Sequence, residues 1–283
     1  MMTASPPGSA SRPPVRRHRP AGVVALEIWD LLVEGVPLHV ARDRPGFPEH
    51  LAQAVVALCQ GTARCRSGIV PPERCRAVDT LFAGGGGLTA ELEAALRTVG
   101  LPLHVSGQPA FVAEAGGRAL LRSLGARSGL VVDIGQTALK ISHGRGRARY
   151  PRDFSRLPLA DAAGPTFDGR PALRRFLASA LADAARAAGA VDAIVLALPA
   201  ALDDAGRPGG CSYPGLAREA HEDRARLVPD ALLEAGLGHV PCVLLNDAEL
   251  AALSARTVTP PEATTLVLTL GFGVGGALLL PAA

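Results

Sequence analysis

Apolar residues along this chain gather into short unbroken runs, separated by glycine-rich turns or by longer stretches with helical spacing. Residues 78–83, 101–105, 130–132, 193–198, 240–245 and 265–271 are runs of the length expected for buried strands. Residues 139–142, 147–150 and 277–280 add strands beside them, and residues 23–28 and 36–41 read as two more, separated by Glu34 and Gly35. Helical stretches alternate with these runs: 48–60, where Leu51, Val55 and Leu58 share a face, then 89–99, 109–124, the alanine-rich 172–188, and 222–235. Strands alternating with helices predict an α/β fold.

Composition changes this picture in a few places. A chain of 283 residues, 48% hydrophobic and 19% charged, has room for one or two domains with a sizeable core. A net charge of +3 and an aromatic content of 4% supply neither a basic surface nor a stacking platform, so no nucleic acid partner is expected. The five cysteines (Cys59, Cys65, Cys75, Cys211 and Cys242) contain no CxxC pair and read as reduced thiols of a cytoplasmic protein, without zinc. Residues 1–20, rich in Pro, Ser and Arg, read as a disordered tail rather than a signal peptide, with Arg16-Arg17-His18-Arg19 solvated. Residues 264–283 carry no charge and are long enough to span a bilayer. Four glycines interrupt them and no basic cluster flanks them, so two strands around a turn are expected there and no membrane.

Candidate chemistry concentrates in residues 130–142, LVVDIGQTALKIS. Asp133 ends a buried run and Gly135 permits a tight turn. A carboxylate in that place can hold a hydrated magnesium ion, while turn amides and the Thr137 hydroxyl face phosphate oxygens. An ordinary hairpin accounts for the same residues. Lys140 is the only lysine in the chain; every other basic residue is an arginine. Four glycines, residues 84–87, join a strand to a helix, an arrangement that lets a ligand approach backbone and helix N-terminus, although packing alone also favours it. Asn246-Asp247-Ala248-Glu249 follows another strand and has the spacing of a helix capping box, which is also a rigid mount for a catalytic base.

The segment D-I-G-x-T-x-x-K, residues 133–140, resembles the first phosphate motif of the superfamily of sugar kinases, actin and heat-shock chaperones, and within it the ROK sugar kinases are most similar. Residues 81–121 resemble that family's adenosine-binding end, residues 196–216 its sugar-pocket segment, Asn246-Asp247-Ala248 its N-D-A motif, and residues 269–276 (TLGFGVGG) its second phosphate motif. The resemblance implies two ribonuclease-H-like (actin-like ATPase) domains with a nucleotide cleft between them. It implies Asp247 as general base and Asp133 as the magnesium site, through water. Gly135, Gln136, Thr137, Lys140, Gly271, Phe272, Gly273, Gly84, Gly85 and Gly86, together with Asp133, are then expected at the nucleotide, and Asn246, Pro199 and Tyr213 at the substrate. The chain departs from the family pattern at Gln136, where a second glycine is usual, and at Ala200, where a glycine usually follows the proline. It also lacks the E-x-G-H segment expected after the second phosphate motif.

The order of these segments is rotated, because the adenosine-like segment precedes the first phosphate motif. A circular permutation is therefore expected: a tail over 1–20, one domain from 21–128 plus 260–283, and a second from 129–259. The implied function is an ATP- and magnesium-dependent kinase of a sugar-like small molecule, cytoplasmic, with a homodimer allowed for. The alternatives are a nucleotide-binding regulator or pseudokinase without turnover, and a scaffold using the uncharged C-terminus.

Overall fold

Two families of apolar runs find separate partners, and that partition builds two sheets. The computed structural model describes residues 15–26, 28–66, 73–159, 162–163, 167–207, 213 and 221–282. In chain order the elements are β1 (Val15–Arg17), β2 (Val23–Leu26), β3 (Leu32–Val33), β4 (Val36–Pro37), α1 (Leu38–Ala41), α2 (Phe47–Gln60), β5 (Thr80–Gly84), α3 (Ala90–Arg97), β6 (Leu103–Val105), α4 (Glu114–Ser123), β7 (Gly129–Ile134), β8 (Ala138–His143), β9 (Gly146–Pro151), α5 (Gly169–Ala188), β10 (Ala193–Leu198), α6 (His221–Glu234), β11 (Cys242–Asn246), α7 (Asp247–Ala255), β12 (Thr265–Leu270) and β13 (Val274–Leu279). The protein is an α/β fold with mixed sheets.

A six-stranded sheet runs β1-β11-β10-β7-β8-β9 and a five-stranded sheet runs β2-β13-β12-β5-β6. With β1 set aside, both follow one plan. A central strand, β7 or β12, has an antiparallel hairpin partner and a third antiparallel strand on one side. On its other side lie two parallel strands, β10 and β11 or β5 and β6. In the second sheet the two ends of the chain meet: β12 lies parallel to β5 and β13 antiparallel to β2. Among the described residues no helix is long and apolar enough to cross a membrane, and the uncharged C-terminal stretch forms the β12–β13 hairpin.

Each sheet has its own core on the outer side. Leu130, Val132, Ile141, Leu173, Leu177 and Leu196 pack the first against α5 and α6, and Leu51, Val55, Leu58, Leu81, Leu96 and Leu268 pack the second against α2 and α3. The inner faces are covered by exchange. Helix α7, which follows the first sheet's β11, packs Ala248, Ala251, Ala252 and Ala255 on Val267, Ala277 and Phe82 of the second sheet. Helix α4, which follows the second sheet's β6, packs Leu120 and Leu121 on Val131 and Val195 of the first. The two helices touch backbone to backbone: a Cβ at Gly116 would lie 2.5 Å from the Ser254 nitrogen, and the Gly116 N–H donates to Ser254 Oγ at 2.8 Å. Small residues are what permit this approach.

Three expectations need correction. Residues 15–17, expected in a disordered tail, form an edge strand paired in parallel with Cys242–Leu244. Residues 38–41 are helical rather than extended, because Leu38 and Ala41, one turn apart, are both buried. The helix expected over 109–124 is broken: Pro109–Phe111 forms a separate 3-10 turn, whose Pro109 carbonyl accepts from the Gly85 N–H at 2.8 Å.

Candidate active site

The parallel strands β7, β10 and β11 end side by side, and register decides which residues share that edge. Asp133 lies level with Ala197, and Leu198 with Asn246, so Asp133, Pro199, Asn246 and Asp247 emerge together at the carboxyl ends of three neighbouring strands. Open α/β sheets hold their ligands in this position.

Asp133 is buried. Directly across the β7–β8 hairpin, Lys140 Nζ donates to its Oδ2 at 2.8 Å. Asp247, the first residue of α7, is half-buried, and its carboxyl is pushed up to about 7, first by desolvation and then by the negative charge of Asp133; the Ala248 N–H and Lys140 oppose the shift. A carboxyl of this kind exchanges its proton near neutrality, which suits a general base. Its backbone is fixed by a complete capping box: Asn246 Oδ1 accepts from the Ala248 N–H at 2.9 Å, and Glu249 Oε2 accepts from the Asn246 N–H at 2.8 Å. The Asn246 side-chain amide donates to the Ala200 carbonyl at 2.9 Å, tying the β11 exit to the β10 exit.

The hairpin after Asp133 is braced from beneath. Tyr213 is fully buried, and its hydroxyl donates to the Gly135 carbonyl at 2.7 Å. Arg152 stacks over the Tyr213 ring at 4.0 Å and donates to the carbonyls of Gln136 (3.0 Å), Leu157 (2.7 Å) and Pro158. Tyr213 was expected to touch substrate; its full burial makes it a support for the turn instead. Thr137 is exposed, so its hydroxyl is open to a ligand.

The second hairpin, Gly271-Phe272-Gly273, reaches the first. A Cβ built at Gly273 would have Gln136 Nε2 as its nearest neighbour, at 3.9 Å. Behind this hairpin lies a cavity of about 450 Å³, lined among others by Arg42, Arg44, Phe47, Thr89, Gly87 and Gly271. The Arg42 guanidinium sits 5.0 Å from the Phe272 ring centre. The four-glycine run divides in two. Gly84 and Gly85 are packed inside, where a Cβ would run into Val112 or the Leu270 carbonyl, so they do not offer themselves to a ligand as expected. Gly86 is exposed with open space around it, and Gly87 lines the cavity. Gly85 holds φ at +112°, a value that only glycine adopts readily.

Sequence reasoning missed Arg152 and the cavity residues Arg42, Arg44 and Phe47, which belong to no motif. Thr89, expected as the first residue of a helix, is its cap and accepts from the Leu92 N–H at 3.3 Å. Burial raises the Cys59 and Cys75 thiols to about 11, so neither is a thiolate at neutral pH. Cys211 and most of residues 208–220 of the sugar-pocket segment lie outside the described residues. No protein-family model matches the chain, and no curated protein matches it.

Proposed function

We propose that this protein is an ATP-dependent phosphotransferase acting on a sugar or a similar small hydroxyl compound, with Asp247 as general base. The observation that carries the reading is the convergence of Asp133, Lys140 and Asp247 at one sheet edge, under a glycine hairpin that meets a second glycine hairpin from the other sheet. The shared strand plan of the two sheets supports two ribonuclease-H-like domains of the actin-like ATPase kind, related to the ROK order by circular permutation. On this reading the nucleotide lies along the Gly271–Gly273 hairpin with its base toward the 450 Å³ cavity, and the acceptor lies beside Asp247. The protein works in the cytoplasm on a small molecule, without nucleic acid or membrane, as a monomer or homodimer.

Phosphoryl transfer passes through a loose transition state, so positioning and charge neutralisation do most of the work. Magnesium, which prefers one or two carboxylates plus water and phosphate oxygens, fits the donors present: Asp133 would hold it, through water, and it would supply neutralisation of phosphate charge. Lys140 adds a fixed positive charge at the same place. Backbone amides of the two hairpins face phosphate oxygens. Asp247 takes the acceptor's hydroxyl proton as that oxygen bonds to the terminal phosphorus.

Calorimetry with magnesium ATP followed by a panel of phosphoryl acceptors tests the proposal. Asp247→Asn keeps the cap and the shape, so it should bind ATP like the parent while turnover falls about 10²–10⁴-fold. Parent protein that binds no nucleotide would overturn the reading. One observation favours a second reading, a nucleotide-binding regulator without turnover: Lys140 already occupies the Asp133 carboxylate that the metal needs. Tight ATP binding with no turnover on any acceptor would select it.

A further inference from the structure

Strand β1 is the one strand of the first sheet without a counterpart in the second. It lies in parallel register with Cys242–Leu244, and the following His18 N–H donates to the Leu244 carbonyl at 2.9 Å. Arg17 is its last residue. Its side chain is only 8% exposed, although it lies on a short edge strand and carries a full charge. Nη2 donates to Glu249 Oε1 at 2.5 Å, and Nη1 is directed at the carbonyls of His18 and Leu244. Glu249 is equally buried, and its other oxygen closes the capping box on the Asn246 N–H. Asn246 in turn holds the Ala248 N–H and the Ala200 carbonyl. A continuous hydrogen-bonded path therefore runs from the N-terminal strand through Glu249 and Asn246, and Asp247 is the residue enclosed by it.

We infer that Arg17 is a positioning residue for Asp247: by holding Glu249 in its capping geometry, the N-terminal strand fixes the helix start on which the base is mounted. This rests on the function proposed above. The physical reason is the cost of an uncompensated buried carboxylate. Without Arg17, the Glu249 carboxylate would turn toward water, which weakens its bond to the Asn246 N–H. The Asn246–Asp247 peptide then gains freedom just where a misplacement on the order of 1 Å can cost roughly 10²-fold in rate. The loop after β10 closes over this strand, since a Cβ at Gly206 would lie 3.4 Å from Arg17 Cβ, and an exposed Arg19–Asp204 ion pair joins the same two segments.

The test compares Arg17→Gln, Arg17→Lys and the double variant Arg17→Gln with Glu249→Gln. Arg17→Gln should lower kcat about 10- to 100-fold with KM for ATP unchanged, and should speed hydrogen exchange at the Asn246 amide. Arg17→Lys should regain most of the rate, because an ammonium still neutralises Glu249. The double variant should also recover, because the neutral amide oxygen introduced by Glu249→Gln can accept from the Asn246 N–H without a countercharge. A lower melting temperature with unchanged kcat and unchanged Asn246 exchange would overturn the inference. If the parent shows no turnover, the function fails separately, and Asn246 exchange in Arg17→Gln against Arg17→Lys still decides this point. If Arg17→Gln does not fold, Arg17→Lys and the double variant carry the comparison.

Discussion

The two hairpins that approach each other at Gln136 and Gly273 are built on the same backbone plan and differ in charge. In the first sheet, the residue pair one step before the turn is Asp133 opposite Lys140. In the second, the corresponding pair is Thr269 opposite Gly275, and the Thr269 hydroxyl fills the space where a Gly275 side chain would stand. One hairpin thus carries a buried ion pair, and the other carries no charge of its own. If the proposed polyphosphate binds here, a carboxylate at position 269 would add repulsion against it, whereas backbone amides would meet it without a countercharge. The carboxylates that follow these sheets show the same asymmetry: α7 begins with Asp247 at the end of β11, beside Asp133, while the corresponding strand of the second sheet, β6, leads through the Pro109 turn into α4, where Glu114 is buried and paired with Arg118 and Arg147.

Breaking this asymmetry ranks the expected effects. The largest is Asp247→Asn, whose turnover loss of about 10²–10⁴-fold would localise the chemistry to the charged half. Next is Lys140→Met, which leaves Asp133 buried without its partner and should cost about 3–5 kcal/mol in urea denaturation. Adding Asp133→Asn should return much of that stability while turnover stays lost, because a neutral pair then resembles the Thr269–Gly275 arrangement. In the uncharged half, Gly85→Ala forces a side chain into φ +112° and against the Leu270 carbonyl, with an expected loss of about 1–3 kcal/mol. Gly273→Ala meets nothing closer than 3.9 Å, so it should leave the melting curve within about 0.5 kcal/mol and weaken ATP binding instead. Equal effects of the two glycine changes on stability would contradict the division of roles between them.

A pH dependence tests the charged half on its own. The Asp247 carboxyl binds its proton more tightly in the folded protein, up to about 7, than at its ordinary 3.8. Its contribution to stability is therefore greatest below about pH 4, declines as pH rises through 7, and is level above that. Asp247→Asn should melt a few degrees above the parent at pH 8, and the gap should close toward pH 4. Turnover of the parent should move the opposite way, rising through pH 7 as the base loses its proton.

How far the sequence reached differs between strands and site. The central strands were legible, because 130–132, 193–198, 240–245 and 265–271 are apolar runs between turns. The capping box at Asn246 was legible for the same local reason, since its donors and acceptors are three residues apart. The join between the chain's two ends was legible only through motif order, and β12 does pair with β5. Local sequence could not show that Val15–Arg17 would add to the β11 edge, because three residues gain a strand only from the neighbour that pairs with them. Nor could it show that Tyr213 and Arg152 would meet beneath the Gly135 turn, because that pairing depends on how the loop after β9 and the segment after β10 pack.

The sequence by itself therefore determined the central strands, the glycine turns, the helix cap at Asn246 and the residue types at the sheet edge, which depend on neighbours within a few positions. Tertiary structure alone decided which of those residues lie open at the sheet edge and which are packed away. It packed Gly84 and Gly85 inward, left Gly86 open, and gave Asp247 its raised proton affinity. Desolvation and charge–charge repulsion act across space, between strands that are more than a hundred residues apart along the chain, as Asp133 and Asp247 are.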